Sequence, residues 1–388
     1  MKKLHVFLAF ALMSTMLFAQ SRNLRTADNE LRRNRLERAV PAIKLAMNET
    51  ENQTNANAWL SKARIFAAVA ASQNPAHRDL APDAIEVAFQ AYQKAFEFDR
   101  TGIVRGLSSI YIGQLMDLAH DRGATLYAES RFQEAADAFM ISVKAAALID
   151  IVDTNAIFNA AFCATAAGNR AMAHELNQQL VDMRADQPMA FTALAISFKE
   201  QGDFANAAKY ADLAVELFPD NYNAMINAAS IHLMIENSER ASQILMVMAE
   251  QYYDNAVVFF AKGVALDQIN MPEEAERAYL RAIELRPDYF DAIFNLAAHY
   301  VTRGVAIRAE ADGLPTTAEG LRKYDEMIEQ SNVLFKKAIP LLEKTLEMEP
   351  SRDVLIAIMS TLRDIYVQLR MLDKGSELHE QIEALRSQ

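Results

Sequence analysis

The sequence has 388 residues, with 39 Lys and Arg against 51 Asp and Glu and a formal net charge of −12. This acidic balance argues against a nucleic-acid partner, because phosphate contacts need clustered Lys and Arg. The single cysteine, Cys163, excludes an intramolecular disulfide,. With only 11 Gly and 10 Pro, the composition favours long helices with short connections over sheets joined by tight turns.

The N-terminal segment has the features of a secretory signal peptide. Lys2 and Lys3 precede an apolar run, Leu4 to Ala19, which is shorter than the about 20 residues of a membrane-spanning helix. Small residues follow, which allow cleavage after Ala19 or Ser21. We therefore expect a signal peptide at residues 1–21 and export to the periplasm, where partners could associate the chain with the outer membrane. Because arginines follow the apolar run closely, an uncleaved anchor is the alternative.

Helical patterns then follow in chain order, interrupted at two places. A loop-like insertion near residues 70–82 precedes a long helix that is predicted from Ile103 to Ala128. Residues 154–303 form the most regular region, and a second insertion lies near 305–325. We predict about eight helical hairpins plus a C-terminal capping hairpin with a charged outer face, together covering residues 22–386.

The helical segments repeat with a single period of about 34 residues, which is the length of a helix–turn–helix repeat. Pro219 and Pro287 are separated by two such periods, and each closes a similar phrase at the end of a predicted helix,. Steps of one period give an alanine column, a bulky column and a turn column. These columns read Ala173, Ala207, Ala241 and Ala275; Ile157, Phe191, Met225, Phe259 and Ile293; and Gly168, Gly202, Glu236, Asn270 and Gly304.

This pattern resembles the tetratricopeptide repeat family, whose unit places bulky, small and aromatic residues and a final proline at fixed positions within the period. The best-matched unit contains Phe191, Leu194, Ala195, Phe198, Gly202, Ala207, Ala214 and Pro219. The resemblance implies an all-α fold, an α-solenoid of stacked antiparallel helix pairs known as a TPR superhelix. Its small residues let the paired helices approach closely, and its bulky residues fill the space between successive pairs.

Motifs that carry catalysis are missing from the sequence. It contains no Gly-rich phosphate loop, nucleophile elbow or zinc-protease helix. The seven histidines are scattered singly, so we interpret them as surface or packing residues, and Cys163 as a small packing residue. We therefore predict a chain that is not an enzyme and has no catalytic residues, cofactor or metal.

The resemblance also implies a concave groove lined by the first helix of each pair. Its fifth-position column reads Phe158, Thr192, Ile226, Phe260 and Phe294, and asparagines occupy alternate sixth positions. An asparagine amide can hold the backbone of an extended peptide because it both donates and accepts hydrogen bonds. The Lys and Asn of chaperone-tail receptors are missing at their positions. The candidate peptide-binding residues are Phe158, Asn159, Asn227, Phe260, Phe294 and Asn295, although asparagine at this position can also be structural.

These features predict a non-enzymatic protein–protein interaction scaffold of the bacterial cell envelope. An extended peptide or partner protein would bind in the groove, with no nucleic acid and no integral membrane span in the mature chain. The alternative is a glycan- or peptidoglycan-binding envelope protein, in which Phe158, Phe260 and Phe294 would stack on sugar rings. Sugar sites usually pair such rings with carboxylates, and the fifth-position column contains none.

Overall fold

A computed structural model describes residues 21–387, and every regular element in this range is a helix. This confirms the predicted all-α fold. The predicted signal peptide lies outside the described residues except for its last position. The chain divides into two compact units, the first ending at Ala190 and the second beginning at Phe191. Within 21–387, no helix is both long and apolar enough to cross a bilayer.

Unit 1 is a stack of antiparallel helix pairs, α1/α2, α3/α5, α6/α7 and α8/α9. We term the first helix of each pair its A helix and the second its B helix. Helix α4 lies in the loop between α3 and α5. The helices are α1 (Arg22–Arg32), α2 (Leu36–Met47), α3 (Ala56–Ala71), α4 (Pro75–Arg78), α5 (Ala84–Phe98), α6 (Ile103–Ala128), α7 (Phe132–Ala147), α8 (Thr154–Ala166) and α9 (Arg170–Asp182).

Unit 2 is also made of helix pairs, and a short connection joins the two helices of each pair. Its pairs are α10/α11, α12/α13, α14/α15, α16/α17 and α18/α19. The helices are α10 (Pro188–Glu200), which contains the boundary between the units, α11 (Phe204–Leu217), α12 (Tyr222–Met234), α13 (Ser238–Gln251), α14 (Ala256–Gln268), α15 (Pro272–Leu285), α16 (Phe290–Asp312), α17 (Ala318–Leu346), α18 (Arg352–Gln368) and α19 (Leu372–Arg386).

Small residues on A helices bring the paired helices close together. A methyl group added at Gly123 would lie 2.8 Å from the Phe139 ring, and one at Gly263 would lie 2.6 Å from the Tyr279 ring. Both distances are far shorter than a normal contact of about 3.5–4.0 Å between carbon atoms. The bulky column is likewise internal: Ile157, Phe191, Met225 and Ile293 are buried, and Phe259 is half-buried. The packing role predicted for the bulky column is therefore confirmed.

The turn column behaves as predicted at four of its five positions. Gly168, Gly202, Glu236 and Asn270 all have left-handed backbones, with φ between 57° and 78°, and each ends the A helix of its pair. The prediction was wrong for Gly304, which lies inside α16 because that helix continues to Asp312. There the absence of a side chain accommodates Phe335, whose ring would lie 2.6 Å from an added methyl group.

Several of the histidines pair with acids inside the stack. His120 lies 3.0 Å from Asp153 in unit 1, and His299 lies 2.6 Å from Asp267 in unit 2. His232 is fully buried, and burial is the main cause that lowers its pKa. Cys163 is also buried, and this burial raises the pKa of its thiol. The packing interpretation is confirmed for these residues.

Candidate binding faces of the A helices

In unit 1, α8 presents an aromatic patch together with the predicted amide. Phe158 is half-buried against the core, and its ring centroid lies 6.5 Å from that of Phe162. Phe162 in turn lies 5.7 Å from Tyr127 of α6, and these two residues are 44% and 39% exposed. Asn159 is half-buried on the same helix. Phe158 thus lies beside Phe162, which in turn contacts Tyr127, and the rings of Phe162 and Tyr127 remain open to solvent.

In unit 2, the predicted aromatic residues are partly used for packing. The Phe260 ring centroid lies 5.2 Å from that of Tyr289 and 6.3 Å from that of Tyr279. Phe294 stacks on Phe290, with a centroid distance of 5.9 Å and an interplanar angle of 8°. Both Phe260 and Phe294 are half-buried against the core of this unit. Only part of each ring is therefore free to contact a ligand.

The three predicted amides differ in their hydrogen bonding. The Nδ2 group of Asn295 donates to the carbonyl oxygen of Asp291, one turn earlier, at 2.8 Å. Within residues 21–387, the side chains of Asn159 and Asn227 make no hydrogen bond, although both are half-buried. Asn159 and Asn227 therefore retain their full capacity to donate and accept, whereas Asn295 already uses one of its two amide N–H donors,.

A pocket in unit 1 was not predicted from the sequence. Its volume is about 580 Å³, and it is lined by residues of the A helices α1, α3 and α6 and by Tyr92 of the B helix α5. We term it the Arg64 pocket. The guanidinium carbon of Arg64 lies 4.7 Å from the ring centroid of Tyr111. The lining residues are Leu31, Arg32, Arg64, Ala67, Ala68, Ala71, Tyr92, Tyr111, Gln114, Asp117, Leu118 and Asp121.

Repeat position could have indicated Arg64. If Trp59 takes the fourth position in α3, Arg64 falls at the ninth, one of the positions that the family turns toward its groove. The period is regular only after residue 154, where Phe162, Ile196 and Val264 occupy this column. The first three pairs depart from the regular period, so the columns did not extend to α3.

The insertion near residues 70–82 lines an adjoining pocket of about 600 Å³. This pocket shares Ala71, Leu118 and Asp121 with the Arg64 pocket, so the two are contiguous within unit 1. Pro75 and Arg78 belong to its wall. The insertion therefore enlarges the recess beside the A helices α3 and α6.

A pocket in unit 2 has a different chemistry. Its volume is about 430 Å³, and it lies between the A helices α16 and α18. Val305 and Val367, which are 54% and 50% exposed, line it together with the buried ring of Phe335. Its polar lining consists of Thr361, Asp364 and Gln368. The lining between these two helices therefore combines apolar side chains with one carboxylate, that of Asp364.

The chain consists of repeated helical hairpins, and their A helices present partly exposed aromatic and amide side chains. This arrangement is typical of a helical-repeat binding protein. Among residues 21–387, no group of three His, Cys, Asp or Glu side chains could hold a metal ion. Residues 199–259 and 256–289 match two models of the tetratricopeptide repeat. Residues 199–289 of the chain therefore carry tetratricopeptide repeats. No curated protein sequence matches it significantly.

Similar solved structures come from proteins of low identity. MamA from Desulfovibrio magneticus RS-1 is 18% identical, with a TM-score of 0.36, over 46% of this chain and 96% of that chain. Another MamA structure is 18% identical, with a TM-score of 0.40, over 52% and 92% of the two chains. YrrB, described as a TPR protein with an unusual peptide-binding site, is 18% identical, with a TM-score of 0.38, over 45% and 89%. At these identities the likeness concerns the fold alone.

Proposed function

We propose that this chain is a non-enzymatic interaction scaffold of the bacterial cell envelope. It binds an extended peptide or a segment of a partner protein on the faces of its A helices. Its tetratricopeptide repeats, which serve protein–protein interaction in this family, support the scaffold function. The Lys2–Ala19 segment supports export,.

The observation that carries the proposal is the pair of unused amides on the A helices. Asn159 and Asn227 are half-buried without a side-chain hydrogen bond among the residues described. Neither amide belongs to the buried side-chain groups without a partner within residues 21–387, so both reach water and can exchange a water partner for a ligand's hydrogen bond with a modest net gain. The peptide backbone is such a partner, because each residue offers one donor and one acceptor.

The groove proposal is tested by replacing Asn159, Asn227 and Asn295 together with Ala. Each hydrogen bond contributes roughly 0.5–1.5 kcal/mol, so affinity for a partner purified from envelope extract should fall by about tenfold to a thousandfold. Of the single variants, Asn295→Ala should have the smallest effect, because this amide already donates to Asp291. Calorimetry with the purified partner measures both quantities.

The matched control replaces Gln90, Gln93 and Gln179 with Ala, because these are exposed amides on B helices. This variant should bind like the wild type. An asparagine triple variant that melts early would show that the three amides are structural. If it folds and binds normally, the groove proposal is wrong, and retention of the wild-type protein on purified cell wall would favour the glycan alternative.

The envelope location is tested separately by cell fractionation and N-terminal sequencing. We expect the mature chain in the periplasmic fraction, with a new N-terminus after Ala19 or Ser21. Full-length protein that begins at Met1 and stays in the cytoplasmic fraction would contradict export. Binding on the A helices does not depend on this result.

A further inference from the structure

The Arg64 pocket contains a cation that the chain itself does not neutralise. Arg64 is half-buried, and its guanidinium group lies against the Tyr111 ring. It has no carboxylate partner and no side-chain hydrogen bond among residues 21–387. Contact with an aromatic face leaves the edge of the guanidinium group available, and this planar edge fits a carboxylate through two parallel hydrogen bonds.

The hydroxyl of Tyr92 is a second unused group in the same pocket. Tyr92 is 0% exposed, and its hydroxyl has no hydrogen-bond partner within the described chain. Burial is the main cause that raises its pKa, while the nearby positive charge of Arg64 lowers it. Buried tyrosine hydroxyls usually find a partner. The Tyr92 hydroxyl therefore adds a donor beside Arg64, in a pocket that Ala67, Ala68 and Ala71 keep open.

The opposite wall of the pocket has the opposite charge. Asp117 and Asp121 of α6 are exposed, and neither forms an ion pair within residues 21–387. They lie one helical turn apart, so both carboxylates are on one face of α6. Arg32 lies on the other side, at the end of α1, also without an acidic partner in the described chain. The pocket thus has a cationic side formed by α1 and α3 and an anionic side formed by α6.

We propose that the Arg64 pocket binds a partner segment in which an acidic side chain stands next to a basic one. The carboxylate is received by Arg64 and the Tyr92 hydroxyl, and the basic side chain is received by Asp117 and Asp121. This inference rests on the proposed function, because the ligand is a segment of a partner protein. It adds the charge pattern that this part of the groove selects.

The test uses the full chain and a degenerate library of twelve-residue peptides with acetylated and amidated ends. Blocked ends remove the terminal carboxylate, so any selected anion is a side chain. Peptides retained by the wild-type protein should be enriched in adjacent acidic and basic residues, roughly tenfold over their amide counterparts. Arg64→Gln should abolish the acidic preference and keep the basic one. The double variant Asp117→Asn, Asp121→Asn should do the reverse.

Arg38→Gln is the matched control, because Arg38 is an exposed arginine of α2 without an ion pair in the described residues. It should retain both preferences. Peptides retained by the wild type without acidic enrichment, or with an enrichment that survives Arg64→Gln, would overturn the pocket assignment and leave the groove proposal standing. If the wild type retained no peptide at all, the groove proposal would fail as well. A preference that appears only with unblocked peptides would assign the pocket to a chain terminus and overturn the side-chain assignment.

Discussion

The Arg64 pocket of unit 1 and the pocket between α16 and α18 of unit 2 both lie against A helices, but their charged side chains differ. The Arg64 pocket has charged groups on both sides and a buried hydroxyl without a partner in the described chain. The lining of the unit 2 pocket has one charged side chain, Asp364, together with apolar ones such as Val301, Val305 and Ile365. The two faces are therefore suited to different segments of a partner.

Both pockets lie beside A helices that exceed the regular length. The A helices α8, α12 and α14 have 13 residues each, whereas α6 has 26 and α16 has 23. Asp117 and Asp121 come from α6, and Val305 comes from the part of α16 beyond the usual helix end. The regular columns thus determine how hairpins pack, while departures from the period create recesses for ligands.

Deleting residues 353–388 should destabilise the chain more than any single substitution. These residues cover Phe335 and Leu342 in unit 2 through Ile358, Leu362 and Ile365. Each helical hairpin of a repeat array contacts mainly the neighbouring hairpins. After the deletion, α16 and α17 should therefore lose hydrogen-exchange protection, and the protein should aggregate. The amides of α3 to α9 should keep their protection. Loss of protection throughout the chain in one step would contradict nearest-neighbour stacking.

Phe335→Ala should destabilise unit 2 by about 3–5 kcal/mol, the usual cost of removing a buried phenylalanine ring. The ring is 1% exposed and packs where Gly304 leaves space. Denaturant unfolding followed by hydrogen exchange should place the loss in α16 and α17. Leu321→Ala, at an exposed leucine of α17, is the control and should change stability by less than about 0.5 kcal/mol. Equal losses in unit 1 would show that the units unfold together.

Tyr92→Phe separates stability from binding in unit 1. Removing a buried hydroxyl that has no partner among the described residues should leave the free energy of unfolding unchanged or raise it by about 1 kcal/mol. The same change should weaken the selection of acidic peptides. Tyr253→Phe, at an exposed tyrosine outside the pocket, is the control for removal of a hydroxyl. A large loss of stability in Tyr92→Phe would indicate that the hydroxyl has a structural partner and would contradict its assignment as an unused donor.

Asp153→Ala should lower the free energy of unfolding by about 1 kcal/mol, through loss of the N-cap of α8. Burial raises the pKa of Asp153, but hydrogen bonds from His120, the Ala156 amide and Ser142 lower it further, so the net pKa is depressed. The carboxylate therefore contributes stability above its ordinary pKa, and this contribution is lost as the pH falls through the lower folded value. Melting curves of the wild type and variant should converge in acid. A constant difference at all pH values would exclude an ionised cap.

The packing between neighbouring hairpins could be predicted from the sequence, because the periodic columns determine it. The left-handed turn at Glu236 and the burial of Phe191 follow from position in the period. The bounds of α6 also agree with the predicted Ile103 to Ala128. Gly304 was misassigned because α16 continues beyond the point where the period ends an A helix.

The Arg64 pocket could not be found in this way, because its residues are distant in sequence. Arg32, Arg64, Tyr92 and Asp117 come from four helices. Whether Arg64 and the Tyr92 hydroxyl have partners depends on side-chain geometry, which no repeat pattern encodes. The unequal bonding of Asn227 and Asn295 is of the same kind, since both fall in one column. Their role as peptide contacts stays a prediction.

The central claim is that partners bind on the A helices. Hydrogen–deuterium exchange of the full chain, with and without a purified partner, tests it most directly. We expect added protection on A helices such as α3, α6, α8, α12 and α14, with unchanged exchange on the B helices α9, α13 and α15. Protection confined to the B helices would contradict it.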